Sequence, residues 1–155
     1  MNSVHVKNRV VITGLGVVSP NGVGLEAFTK AIKIGASGIA FHQALKDKGF
    51  SCCIGGIPEI SEEKIQAYLT PLQLRGFHST SILYGCIAAI DAWKDAGFSV
   101  DASSSLDYDS GLVFGTGTSG IEKFREAIYK IDELQVRRLG STSVVQTMAS
   151  GISAY

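Results

Sequence analysis

Arg9-Val10-Val11-Ile12-Thr13-Gly14-Leu15-Gly16-Val17-Val18-Ser19-Pro20 is a β-branched run closed by glycine, without the apolar and polar alternation of a half-exposed strand. Such a run predicts a strand over Arg9 to Gly14 that is covered on both faces. Ser19-Pro20-Asn21-Gly22 follows with Pro and Asn in the central positions of a turn. Leu25, Phe28 and Ile32 then mark one face of a helix that Gly35 ends, with Lys30 and Lys33 off that face. The same order returns later. Gly111-Leu112-Val113-Phe114 reads as a second buried strand, Gly115-Thr116-Gly117-Thr118-Ser119-Gly120 as a glycine turn, and a helix comes next. Ser119 and Glu122 fit the S-x-x-E capping box, Ile121, Phe124, Ile128 and Ile131 form the inner face, and Glu126 and Lys130 make an i,i+4 ion pair. Only these two strands read clearly, against four or five helices, and a two-stranded sheet cannot cover itself.

Between these units the stretch through Cys53 and Gly56 is irregular and glycine-spaced, with weak extended segments at most. Ser61 caps a short helix that carries Glu62 and Glu63 in its first turn, and Thr70-Pro71 starts another in the order cap, then proline. The longest helix is expected from about Ser79 to Ala96, closed by Gly97. Leu83, Ile87, Ile90 and Trp93 form its buried face, Lys94 and Asp95 stand at its exposed end, and Gly85, Ala88, Ala89 and Ala92 permit close approach by a neighbour. The tract with Asp101, Ser103, Ser104, Ser105, Asp107 and Asp109 lacks apolar periodicity and reads as a loop. No internal repeat or low-complexity tract is present.

Composition removes several classes of function. Lys plus Arg and Asp plus Glu both number 14, so no net charge argues for nucleic acid or an anionic membrane as partner. The longest strongly apolar run, Ile82 to Ile90, contains Gly85 and falls far short of the ~20 residues needed to span a bilayer. No basic segment followed by an apolar stretch and a cleavage site opens the chain, so a soluble, cytoplasmic protein is expected. Cys52, Cys53 and Cys86 lack zinc-type spacing and are expected to be reduced, packing as small apolar residues. His5, His42 and His78 are scattered, without a partner at ligand spacing, so no metal is expected.

The glycine turns invite a nucleotide-binding reading, which their context opposes. A dinucleotide fingerprint on Gly115, Gly117 and Gly120 needs a following strand that ends in an acid ~20 residues on. Val136-Arg137-Arg138-Leu139-Gly140 is short and basic instead. A P-loop needs Lys after its last glycine, where this chain has Ile121. In the first turn Ser19 stands where a third glycine belongs. The remaining reading is mechanical: glycines let the backbone turn sharply and approach neighbours closely.

The last segment, Ser143 to Tyr155, reads as an amphipathic helix with Val144, Met148, Ile152 and Tyr155 on one stripe. No capping glycine or proline closes it, so the sequence is expected to be cut within a helix. Taken together, Arg9 to Pro20, Gly111 to Gly120 and Val144-Val145-Gln146-Thr147-Met148-Ala149-Ser150-Gly151 resemble, in order, the first part of the β-ketoacyl-acyl carrier protein synthases. These are the elongating condensing enzymes of fatty acid synthesis, and the resemblance extends over essentially the whole chain.

That resemblance implies an α/β chain with a partial thiolase-like fold, the N-terminal half of an α-β-α-β-α layered enzyme. Residues 1–155 would be the N-terminal part of a synthase domain, truncated before the catalytic cysteine. It implies acyltransferase chemistry, a decarboxylative Claisen condensation of acyl and malonyl groups held on acyl carrier protein. Fatty acid, polyketide or polyene biosynthesis would be the setting. In the family a cysteine at a helix N-terminus carries the acyl group, and two histidines assist decarboxylation. Those residues match no position here, so no catalytic residue is assigned and this chain alone is expected to be inactive. By the same resemblance Gly117 and Thr118 lie beside the acyl pocket, while Val144 and Met148 lie at a dimer interface that contributes to the partner's pocket. A homodimer, or a heterodimer with a synthase subunit, is implied. No cofactor is implied, because phosphopantetheine arrives on the carrier. Two alternatives stay open: a chain-length-factor-like partner that lacks the nucleophile, and a short non-catalytic module that binds a carrier protein or a synthase.

Overall fold

The computed structural model describes residues 9–99 and 109–140. The loop expected around residues 101–107 and the helix expected from Ser143, with Val144 and Met148, lie outside the described residues. Six helices and four short strands are formed among them. β1 (Val18–Ser19) and β2 (Gly22–Val23) are an antiparallel hairpin with Ser19 opposite Gly22, so Pro20 and Asn21 occupy the turn as expected. α1 (Leu25–Lys33) follows, and Gly35 beyond its end takes φ 68°, the left-handed conformation of a helix stop.

The irregular middle is more structured than its composition suggests. β3 (Ile39–Phe41) pairs antiparallel with β4 (Ile54–Gly56), and the five-residue helix α2 (Gln43–Asp47) lies between them. The His42 Nε2 donates to the Gly55 carbonyl at 3.0 Å and closes this small sheet at its end. Asn21 at the hairpin tip donates its side-chain amide to the Ala36 carbonyl at 2.6 Å, which ties the hairpin to the segment before β3.

The caps read from the sequence are formed. In α3 (Glu62–Gln66) the Ser61 hydroxyl accepts from the Lys64 amide. In α4 (Pro71–Leu74) Thr70 and Gln73 make a reciprocal capping box with proline in the first turn. α5 (Thr80–Asp95) is the longest helix, and Gly97 beyond it takes φ 85°. Its two fully buried side chains are Ile82 and Ile87, which form the described core with Val23 and Leu69. Trp93, expected on the buried face, is 40% exposed; its indole donates to the Ser99 carbonyl at 2.9 Å and its ring lies 4.7 Å from that of Phe98. Polar ties fasten α3 and the following turn to this core. The Lys64 ammonium donates to the Val23 carbonyl at 2.7 Å, and the Tyr68 hydroxyl to Asp91 of α5 at 3.1 Å.

Two expectations are corrected. Arg9–Gly14 and Gly111–Phe114 form no strand, and Val10 and Val113 are each 96% exposed. A β-branched run becomes a buried strand only with neighbours along both edges and layers on both faces, and no described strand lies beside either run. The observed ladders are instead the two antiparallel pairs β1–β2 and β3–β4. α6 (Ile121–Asp132) starts where expected, but its apolar face of Ile121, Phe124, Ile128 and Ile131 is exposed among the described residues.

Where the first run meets α5, its glycines decide the contact. A Cβ built on Gly14 would stand 2.2 Å from the Ala92 carbonyl oxygen, and one on Gly16 only 1.9 Å from that of Ala88. Backbone packs against helix here, through the small residues Ala88 and Ala92. The Leu15 amide donates to Asp95 at 2.9 Å and anchors the same segment at the end of α5.

Candidate functional site

The turn from Gly115 to Gly120 and the start of α6 form the candidate site. The Thr116 hydroxyl donates to the Thr118 carbonyl at 3.1 Å, which folds the turn on itself. Gly117 and Thr118 are exposed, and a Cβ at Gly117 would meet nothing within 4 Å, so the tip of the turn borders open space. Ser119 and Gly120 are buried behind it, and Gly120 takes φ 62° as it enters α6. The other two residues expected at the site, Val144 and Met148, lie outside the described residues.

The N-cap of α6 is Gly120, one residue after the Ser119 position that a capping box with Glu122 would use. The Glu122 carboxylate accepts from its own amide in the first turn of α6 and also from the Thr80 amide at 2.9 Å and the Thr80 hydroxyl at 3.3 Å, at the first residue of α5. Desolvation, the largest single influence, pushes this carboxyl up. Hydrogen bonds from its own amide, from Thr80 and from Ser79 together outweigh it and hold the group below the usual carboxylate range. Sequence spacing could not reveal this contact, because the two partners are 42 positions apart.

None of the cysteines has the setting of a nucleophile. Cys86 lies within α5, and burial pushes its thiol above the ordinary value, which opposes thiolate formation. The Cys53 thiol donates to the Phe50 carbonyl at 3.2 Å, and Cys52 is an exposed free thiol. A cleft of about 690 Å³ between α1, α3 and α5 is lined by Lys30, Lys64, Tyr68, Asp91 and Lys94, among others. Its polar groups are largely engaged with the protein itself: Lys64 and Tyr68 as above, and Lys94 placed 5.3 Å from the Tyr68 ring centre. Among the described residues no three of His, Cys, Asp and Glu stand together as metal ligands would. No described helix is long and apolar enough to cross a membrane.

The family model for the β-ketoacyl synthase N-terminal domain matches residues 7–155. The chain belongs to the β-ketoacyl synthase family. 3-Oxoacyl-[acyl-carrier-protein] synthase 1 of Escherichia coli K12 is 31% identical over 150 residues, covering 94% of this chain and 35% of the relative. The Vibrio cholerae 3-oxoacyl-[acyl-carrier-protein] synthase 2 is 28% identical over 147 residues, covering 95% of this chain and 34% of the relative. The tetracenomycin polyketide synthase ketoacyl synthase beta subunit of Streptomyces glaucescens is 31% identical over 122 residues, covering 79% of this chain and 29% of the relative. The crystal structure of a β-ketoacyl synthase from Burkholderia phymatum STM815 matches with TM-score 0.76 at 24% identity, covering 96% of this chain and 36% of that one. This β-ketoacyl synthase segment therefore has the fold of the N-terminal part of a thiolase-like enzyme, and spans about a third of the length of these relatives.

Proposed function

We propose that this segment is the N-terminal part of a 3-oxoacyl-acyl carrier protein synthase, a cytoplasmic acyltransferase of fatty acid biosynthesis that works as a dimer. The observation that carries the reading is the 31% identity to the Escherichia coli synthase over 150 residues, 94% of this chain. In the reaction a cysteine thiolate takes the acyl group from one carrier protein. Malonyl carrier then loses CO2, and its enolate carbon attacks the enzyme thioester, expelling the thiolate and leaving a 3-oxoacyl carrier two carbons longer. On this reading the nucleophile stands outside residues 1–155, in agreement with the raised thiol pKa of Cys86. Gly117 and Thr118 border the acyl pocket, a role that their exposure favours. Val144 and Met148 line the dimer interface and the partner's pocket. Met148 suits an adaptable wall, since its thioether chain is unbranched and flexible.

The first test is the intact mass of the natural product under denaturing, protease-inhibited conditions. A mass more than twice 16.4 kDa is expected, and 16.4 kDa would overturn the enzyme reading in favour of a binding module. The natural-length protein, given acyl and malonyl carrier proteins, is expected to release CO2 and elongate the acyl group. Gly117→Leu is expected to shorten the products while leaving malonyl decarboxylation intact; an unchanged length distribution would remove Gly117 from the pocket. The similarity to a ketoacyl synthase beta subunit favours a second reading, a non-catalytic heterodimer partner that shapes the pocket of an active synthase. Natural-length protein that fails to elongate alone, yet copurifies with a synthase subunit and restores its activity, would establish that reading.

A further inference from the structure

α5 begins without a side-chain cap: Ser79 occupies the N-cap position but makes no capping hydrogen bond, and its hydroxyl pairs with that of Ser81 at 2.8 Å. α6 also begins without one, from Gly120 in the left-handed conformation. A helix start leaves amides without intrahelical partners and carries a partial positive charge, so two uncapped starts close together call for an acceptor. Glu122 stands in the first turn of α6, and its carboxylate accepts from Thr80 at the first turn of α5. One side chain thus serves two helix starts that are distant in sequence.

We propose that Glu122 is a latch: by capping α5 from within α6, it fixes the Gly115–Gly120 turn in place against the helix start. Phe114 and Thr116 are only half-buried and the tip at Gly117 and Thr118 is exposed, so apolar packing holds this turn weakly and the Glu122 contacts with Ser79 and Thr80 tie the start of α6 behind it to α5. The latch concerns how the turn is held, and stands whether or not the turn borders an acyl pocket.

Hydrogen exchange, read by mass spectrometry on the natural-length protein, tests it from both sides. Glu122→Ala removes the acceptor. Thr80→Pro removes the amide and hydroxyl donors at the first helical position, where proline is tolerated, and the extended Ser79 before it is compatible with proline. Each variant is expected to speed exchange over residues 112–121 by about three- to tenfold, as for loss of a charged cap. Exchange over residues 84–92, in the middle of α5, is expected to stay unchanged. Glu122→Gln, which keeps an acceptor but no charge, should fall between. The double variant should not exceed Glu122→Ala, because removing the acceptor already breaks the Thr80 contact. Unchanged exchange in the turn, additive effects in the double variant, or an equal rise in the middle of α5 would each overturn the latch.

Discussion

At the residue scale the chain is governed by two glycines whose hydrogens occupy space that no methyl could. Gly14 and Gly16 lie against α5 and its C-terminal end, and the atoms in the way of a Cβ are main-chain atoms of Ala88, Ala92 and Ala96 together with the Ala96 Cβ, none of which can rotate aside. Gly16→Ala is therefore expected to destabilise the protein by about 3 kcal/mol, near the top of the overpacking range. Gly117→Ala is expected to change stability by less than about 0.5 kcal/mol, because nothing lies within 4 Å of the added carbon. Urea midpoints of the two variants beside the parent protein check the contrast; equal losses would show that the close approach of Gly16 to α5 does not exist in solution. The sequence pattern anticipated this contact from both partners, as glycines suited to close approach and as small residues along α5. What it lacked was the pairing of one with the other, since nothing local says which glycine meets which alanine.

At the element scale, features whose causes lie within a few residues were legible. Ser61, Thr70 with Pro71, and the stops at Gly35 and Gly97 all act where their spacing placed them. Glu126 and Lys130 are likewise paired at 2.7 Å, and Lys123 adds a second ammonium at 2.7 Å. Hydrogen bonds from Lys123 and Lys130, reinforced by their charges, hold the Glu126 carboxyl down at about 2. A group depressed on folding contributes stability that is present above its unfolded value near 4.5 and is lost as pH falls through about 2. An NMR titration of Glu126 is expected to show a midpoint near 2 that rises in Lys130→Met; a midpoint near 4.5 in the parent would mean that the three side chains are not held together. Glu122 marks the limit of local reading. Its spacing from Ser119 is that of a capping box, yet its carboxylate also accepts from Thr80 at the start of α5, a contact that no i,i+3 rule could reveal.

At the scale of the molecule, the family and its fold class were legible because several separated segments fall in one order, and the family match extends over residues 7–155. The layer positions of the β-branched runs were not. Such a run records the burial it is suited to, whereas the observed burial depends on what lies beside it. Val10, Val11, Ile12, Leu112 and Val113 are 61% exposed or more, and the described core has only four fully apolar buried residues, Val23, Leu69, Ile82 and Ile87. Apolar area left in water forfeits about 25 cal/mol per Å², and unpaired extended segments also offer free backbone groups to other chains. The 155-residue chain prepared alone is therefore expected to associate, with sedimentation that rises with concentration and strong binding of a hydrophobic dye. Replacing Val10 and Val113 with Lys should weaken both, since charge on an exposed edge blocks pairing. A concentration-independent monomer that unfolds in one cooperative high-temperature transition would refute this, and would mean that these runs find cover within the 155 residues themselves.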